Sequence, residues 1–129
     1  MAGMVCTIKE YRYKNGIAKV RADWTSDDAA GTATGTTKMK YTGEIVRLTT
    51  IPGGAPNAPT DNYDITVHDE DGTDVLMGAG ADRDTANTEQ VLGTSLGVVF
   101  DSTLEFNVAS AGNAKTGTII IHLRVPWIC

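Results

Sequence analysis

The sequence predicts an all-β protein: a two-sheet antiparallel sandwich, jelly-roll-like, with about eight strands. Eighteen of the 129 residues are threonine, which is enriched in strands and poor in helix interiors. Apolar and polar side chains alternate in several segments, and no segment sustains the 3.6-residue period of a helix. Short alternating segments separated by turn residues are typical of a sandwich or barrel, and one long crossing connection favours the jelly roll.

The first two strands are predicted at residues 5–14 and 17–24, on either side of Asn15-Gly16. Both central positions of a two-residue type I′ turn need positive φ, which Asn and Gly adopt readily. The two strands therefore form a hairpin, and one face of the second strand is apolar. That face consists of Ala18, Val20, Ala22 and Trp24.

The middle of the chain combines loops with one long strand. Residues 26–38 are small and polar and predict an exposed loop or a frayed edge. Residues 41–51 alternate as a strand does. The predicted faces of this strand are Ile45, Arg47 and Thr49 on one side and Val46 and Leu48 on the other. Residues 51–63 hold three of the four prolines and predict a long connection between the two sheets.

The second half resumes the alternation at residues 62–69, and a short strand is predicted at residues 74–78. Residues 82–91 predict one helical turn with Asp84 as its N-cap. The last three strands are predicted within residues 97–101, 102–110 and 116–125, and residues 110–117 are interpreted as a hairpin loop. The predicted core residues of this half are Tyr63, Ile65, Val67, Leu104, Phe106, Val108, Ile119, Ile121 and Leu123.

Length and charge limit the class of protein. A chain of 129 residues suits a single domain, here residues 1–129 with a short C-terminal tail at residues 125–129. The net charge is −5 and the basic residues are scattered, which disfavours direct nucleic-acid binding and an anionic membrane surface. The N-terminus lacks the apolar region of a secretory signal, so we expect synthesis in a cytoplasm, where Cys6 and Cys129 are most simply free thiols; a disulfide between them that closes the termini is the alternative.

Residues 68–84, "HDEDGTDVLMGAGADRD", are rich in aspartate and glycine and invite a metal-binding or phosphate-binding interpretation. Aligning Gly72 with the invariant glycine of an EF-hand loop places Val67 at the first ligand position and Gly78 at the twelfth, so that motif fails. The stretch also lacks the last glycine of G-x-G-x-x-G. We therefore interpret it as an Asp-Gly turn followed by a tight backbone stretch at residues 78–82. A looser calcium site would use Asp69, Asp71, Asp82 and Asp84.

Catalytic chemistry has little support in the sequence. Only His68 and His122 offer an imidazole base, and none of the common nucleophile or zinc motifs occurs. His122 is predicted on an exposed strand face, and His68 beside the acidic turn. A pair of glycosidase carboxylates stays open, because acidic residues are frequent throughout the chain. The sequence predicts no catalytic residue, no cofactor and no metal ligand.

The most specific signal lies in "APTDNYDITVHDEDGTDVLMGAGADRDTANTEQV" and in the closing "AGNAKTGTIIIHLR". In these phrases residues 16–124 resemble small structural proteins of tailed-bacteriophage heads. Members of that family are capsid cement or decoration proteins with jelly-roll folds. They bind the outside of shells built from an HK97-like major capsid protein, as dimers or trimers. The resemblance implies a non-enzymatic virion protein on the capsid exterior that cements neighbouring major capsid subunits.

Two other functions stay open: a tail or head-fibre module that binds a host-surface glycan, and a small hydrolase or free carbohydrate-binding domain. A glycan-binding surface needs two or three exposed aromatic side chains on one face or in one cleft. The candidates for such a surface are Tyr11, Tyr13, Tyr41 and Trp24.

The tail "VPWIC" continues beyond the last predicted strand. Pro126 cannot donate to a β-ladder, so Trp127 and Ile128 cannot simply extend the sheet. Either Trp127 covers the end of its own sandwich, or the tail anchors the protein to a neighbouring subunit or the capsid, where tryptophan is a favoured anchor. Pro126, Trp127 and Ile128 are therefore the predicted partner-binding residues.

Overall fold

The structure is a computed structural model that describes residues 4–14 and 16–124. These residues form an antiparallel sandwich of two sheets, which confirms the predicted fold class. The described strands are β1 (Val5–Lys14), β2 (Ile17–Thr25), β3 (Ala33–Thr36), β4 (Tyr41–Pro52), β5 (Asp64–His68), β6 (Glu89–Leu92), β7 (Val98–Ser102), β8 (Glu105–Ala109) and β9 (Thr116–Arg124). A 3-10 turn, Gly93–Ser95, separates β6 from β7. No helix in these residues is long and apolar enough to cross a membrane.

The larger sheet has six strands in the order β1-β2-β9-β4, with β6 and β7 end to end along the far side of β4. The smaller sheet has the order β3-β8-β5. The chain changes sheet between β2 and β3, β3 and β4, β4 and β5, β5 and β6, β7 and β8, and β8 and β9. This is a jelly-roll-like winding, in which residues 74–83 lie where a further strand would flank β5. They lie against β5 through the bridges His68–Asp74 and Tyr63–Arg83 and through two further backbone hydrogen bonds, from Val75 N–H to the Val67 carbonyl and from Ile65 N–H to the Gly80 carbonyl.

The core lies between the two sheets. The predicted inward residues of β2, β5, β8 and β9 are all buried, as is Leu104 just before β8. The rings of Trp24 and Tyr63 lie 5.7 Å apart at a 50° tilt, a favourable aromatic contact inside the sandwich. Cys6 of β1 is a half-buried free thiol that packs against this core. The period-two pattern therefore identified the buried face of each of these strands correctly.

The first hairpin is confirmed by the pairing of β1 with β2 from Val5–Thr25 to Lys14–Ile17. Gly16 has a φ of +82°, a backbone conformation that a β-branched residue adopts only under strain. Asn15 lies outside the described residues.

Replacing Gly16 with valine should lower the free energy of unfolding by about 1–3 kcal/mol, because Val must adopt positive φ. Urea denaturation measures the change. Gly54→Val is the matched control, since Gly54 has no positive φ and open space around its Cβ position. Equal stability of the two variants would mean that the turn tolerates a Cβ at position 16.

The predicted faces of β4 are wrong beyond Ile45. The pairing with β9 shifts register between Ile45 and Arg47, so that Val46 is an extra residue in β4. Such a bulge interrupts the two-residue period. Ile45 and Leu48 therefore both face the core, while Arg47 is exposed.

Two connections also differ from the predictions. Residues 26–38 contain β3, an edge strand of the smaller sheet. Residues 110–117 join β8 of one sheet to β9 of the other, so they do not close a hairpin. The Ser26 hydroxyl donates to the Gly112 carbonyl over 2.6 Å and ties these two connections together. Long-range contacts of this kind leave no local pattern in the sequence.

Two further predictions, both within residues 74–91, are wrong. Residues 74–78 are a bridge and turns instead of a strand, because the Asp74 carboxylate accepts the N–H groups of Val67, Leu76 and Gly78. Asp84 accepts the N–H groups of Ala86 and Asn87 as an N-cap does, yet no helix follows. The chain instead enters β6, a short edge strand that the sequence pattern did not reveal.

Candidate functional site

The acidic residues of segment 68–84 serve the backbone. Asp69 Oδ1 accepts the N–H groups of Asp71 at 2.9 Å and Thr73 at 3.0 Å, which closes the Asp-Gly turn around Gly72. Within residues 4–14 and 16–124, no group of three or more His, Cys, Asp or Glu side chains is arranged to hold a metal ion. The four aspartates of the looser calcium site, Asp69, Asp71, Asp82 and Asp84, are thus not brought together.

Two groups with possible catalytic chemistry, His68 and Asp23, are tied to structural partners. His68 Nδ1 lies 3.3 Å from the Asn107 amide nitrogen and 3.6 Å from the Glu105 carboxylate. Among the described residues that line a cavity of about 490 Å³ at one end of the larger sheet, Asp23 is the only titratable one. Hydrogen bonds from Arg21 and Thr118 lower the pKa of Asp23, and burial, which raises it, offsets them only in part. A carboxylate held in its charged form suits structure better than general-acid catalysis.

Two of the four aromatic candidates for a glycan surface are core residues, since Trp24 and Tyr41 are each 2% exposed. The side chain of Tyr13 lies outside the described part. Tyr11 is exposed on β1, at the edge of the larger sheet opposite Phe100 of β7. Among the described residues, the aromatic candidates therefore do not form a shared stacking platform.

The outer face of the larger sheet carries a row of side chains that crosses five strands. Cross-strand pairing aligns Tyr11 with Lys19, Lys19 with His122, His122 with Arg47, and Arg47 with Leu92. We call these five residues the basic row. Strands lie about 4.8 Å apart, so the row is roughly 19 Å long. Lys19 Nζ lies 5.2 Å from the centre of the Tyr11 ring, a cation–π contact.

Two cations of the row lack carboxylate partners, unlike their neighbours. Arg21 donates to both carboxylate oxygens of Asp23 at 3.0–3.1 Å, and Arg124 donates to Glu44 at 3.1 Å. Neither Lys19 nor Arg47 takes part in an ion pair among the described residues. The row therefore carries uncompensated positive charge on a chain whose net charge is −5.

His122 lies between these two cations. Burial, and then the charges of Arg47 and Lys19, lower the pKa of His122 below its ordinary value. Its Nδ1 is buried without a hydrogen-bond partner among the described residues. An anion bound to the row would offset the positive charges of Arg47 and Lys19. It would therefore raise the pKa of His122 and favour its protonated imidazole.

Three exposed apolar side chains lie on the same outer face, beside the basic row. Leu92 of β6 is 71% exposed, and Val98 and Phe100 of β7 are 70% and 82% exposed. We call these three residues the apolar patch. Val98 pairs with Glu44, which on its other side pairs with Arg124 of β9. This register places Val98, and Phe100 two residues later, on the outer face of the sheet. Large apolar side chains clustered on a surface mark an interaction site more often than single ones do.

The patch also lies on an open sheet edge. Within the described residues β7 pairs with β4 alone and is thus an edge strand, flanked at its ends by hydrogen bonds from Gly97 N–H to the Val75 carbonyl and from Thr103 N–H to Glu70. Edge strands of this kind can pair with an extended segment of another chain.

An acidic cleft of about 310 Å³ borders the patch at Val98 and Phe100. Its carboxylates come from Asp69, Glu70, Asp71 and Asp101. Glu70 accepts the Thr103 N–H and lies 3.5 Å from Lys40. The outer surface is consequently polarised, with positive charge on the Leu92 side of the patch and negative charge on the Phe100 side.

The predicted partner-binding residues Pro126, Trp127 and Ile128 lie outside the described residues. Sequence reasoning placed His122 correctly on the outer face but missed the basic row and the apolar patch. The strand predicted within residues 97–101 could have shown that Val98 and Phe100 share a face. Comparisons with family models, curated proteins and solved structures found no match for this chain.

Proposed function

We propose that this protein is a non-enzymatic virion structural protein that binds the outside of a bacteriophage capsid and cements neighbouring major capsid subunits. The observation that carries the proposal is the apolar patch of Leu92, Val98 and Phe100 on an open sheet edge. The resemblance of residues 16–124 to phage-head structural proteins supplies the identity of the partner. In this proposal the protein is made in the host cytoplasm and acts on the capsid as a homo-oligomer, a dimer or trimer.

The patch supports protein binding on energetic grounds. Fully burying a side chain such as Leu, Val or Phe yields about 1.5–3 kcal/mol, so these three side chains can supply much of the affinity of a small interface. An extended segment added along β7 would contribute backbone hydrogen bonds as well. Both contributions need no catalytic group, metal or cofactor.

The roles of the acidic side chains support the non-enzymatic part of the proposal. Asp27, Asp69, Asp74 and Asp84 each accept at least two backbone N–H groups and thereby hold loops in place. A jelly-roll-like sandwich with loops fixed in this way is a rigid unit, suited to bridging two subunits of a shell.

Replacing Phe100 with serine should weaken capsid binding by roughly tenfold or more, because the aromatic anchor of the contact is lost. The measurement is co-sedimentation of the purified protein with tail-less capsids of the phage that encodes it. Thermal melting should stay close to that of the wild type, since the Phe100 side chain is largely in solvent.

Val5→Ser is the matched control, because Val5 is an exposed apolar residue on β1, at the opposite edge of the same sheet. It should leave capsid binding unchanged. Failure of the wild-type protein to sediment with capsids would refute the proposed function. Equal binding of Phe100→Ser and the wild type would remove the apolar patch from it.

A further inference from the structure

We propose that the basic row binds an acidic, extended segment of the partner protein, with the apolar residues of that segment lying on the apolar patch. The inference rests on the proposed function, which it deepens by naming the chemistry of the partner. The supporting observations are the charged side chains of the outer face and the register of the strands that hold them.

Charge complementarity points to an acidic partner. Lys19 and Arg47 lie on either side of His122 and have no carboxylate partner among the described residues, whereas Arg21 and Arg124 are each compensated by one. Opposite neighbours on an antiparallel sheet have Cβ atoms about 5 Å apart, so the Cβ atoms of Lys19 and Arg47 are roughly 10 Å apart. Two carboxylates of an extended segment can reach both cations at once.

Register connects this charge to the apolar patch. Leu92 ends the basic row through its pairing with Arg47, and it also begins the patch that continues to Val98 and Phe100. A segment that crosses the row and then follows β6 and β7 therefore meets cations first and apolar side chains second.

The acidic cleft fixes the direction of the segment and the class of the partner. The carboxylates of Glu70, Asp71 and Asp101 lie beside Phe100, so negative charge is repelled at that end. A uniformly anionic polymer such as DNA would meet this repulsion along its length. A protein segment can place acidic residues over the row and neutral or basic ones near the cleft.

The test measures binding of a synthetic peptide, DDDDGLLL, to the full chain. Binding is followed by the NMR shifts of the protein's backbone amides at low salt. Lys19→Gln and Arg47→Gln should each weaken binding by roughly threefold, and the double variant by about tenfold, as expected for exposed charge pairs. Lys38→Gln is the matched control, because Lys38 is an exposed lysine between β3 and β4, away from the row. It removes the same charge and should leave the affinity nearly unchanged.

The pH dependence gives a second readout. His122 faces Lys19 and Arg21 from β2 and Arg47 and Glu44 from β4, with Arg124 on its own strand. Because its pKa is lowered, His122 is neutral at pH 7.5, and a bound carboxylate favours its protonation at lower pH. The peptide should therefore bind more tightly at pH 5.5 than at pH 7.5, and His122→Gln should remove most of this difference.

Three results would overturn the inference: no binding of the peptide, unchanged binding by the Lys19/Arg47 double variant, or equally tight binding of a 12-base-pair DNA duplex through the same residues. The capsid experiment is independent of the peptide. If the peptide fails while Phe100→Ser still impairs capsid binding, the proposed function stands and the acidic partner does not. If the peptide binds but the wild-type protein does not bind capsids, the acidic partner stands and the proposed function does not.

Discussion

Phe106→Ala is expected to lower the free energy of unfolding by about 3–5 kcal/mol, a large part of the 5–15 kcal/mol typical of a domain. Phe106 is 1% exposed and lies in the middle of β8, the central strand of the smaller sheet. Its cross-strand partners are Gly35 of β3 and Val67 of β5. Since Gly35 has no side chain to fill the vacated space, the cavity left by truncation can collapse only in part.

Urea denaturation of the variant and the wild type measures this loss. The other phenylalanine is the matched control, since Phe100 is 82% exposed and Phe100→Ala removes the same atoms. That variant should stay within about 0.5 kcal/mol of the wild type. If both alanine variants lose stability equally, Phe106 does not lie in the core between the two sheets.

Gly80→Ala should cost roughly 3 kcal/mol, the upper end of the range for overpacking a close contact. A Cβ added at Gly80 would lie 2.2 Å from the Ile65 carbonyl oxygen, far inside van der Waals contact. The two segments are joined there by a hydrogen bond from Ile65 N–H to the Gly80 carbonyl at 2.9 Å. The added methyl group must therefore push residues 74–83 away from the edge of β5.

Gly54→Ala is the control for this substitution. Gly54 has no neighbouring atom within 4 Å of its Cβ position, so its unfolding free energy should change by no more than about 0.5 kcal/mol. Thermal melting of both variants gives a direct comparison. Wild-type stability in Gly80→Ala would show that residues 74–83 are not packed backbone to backbone against β5.

The candidate site could be predicted only in fragments. A strand within residues 97–101 is enough to place Val98 and Phe100 on one face, and the two-residue period of β9 placed His122 outside. Their relation to Lys19, Arg47 and Leu92 depends on which strands are neighbours and in what register. Those strands lie far apart in the chain, and hydrogen bonding between them imposes no pattern on either sequence.

The sequence by itself determined the fold class, the first hairpin, and the inward faces of β2, β5, β8 and β9. These features depend on local chemistry: positive φ at Gly16, and side chains that alternate across a pleated strand. The tertiary structure alone decided the bulge at Val46, the crossing of residues 110–117 between sheets, and the turns of residues 74–83. Each of these depends on groups distant in the chain, such as β9 opposite Val46 and the Ile65 carbonyl opposite Gly80. Packing between distant segments can override the local preference for a strand or a hairpin, because it satisfies backbone groups that a local element would otherwise have paired.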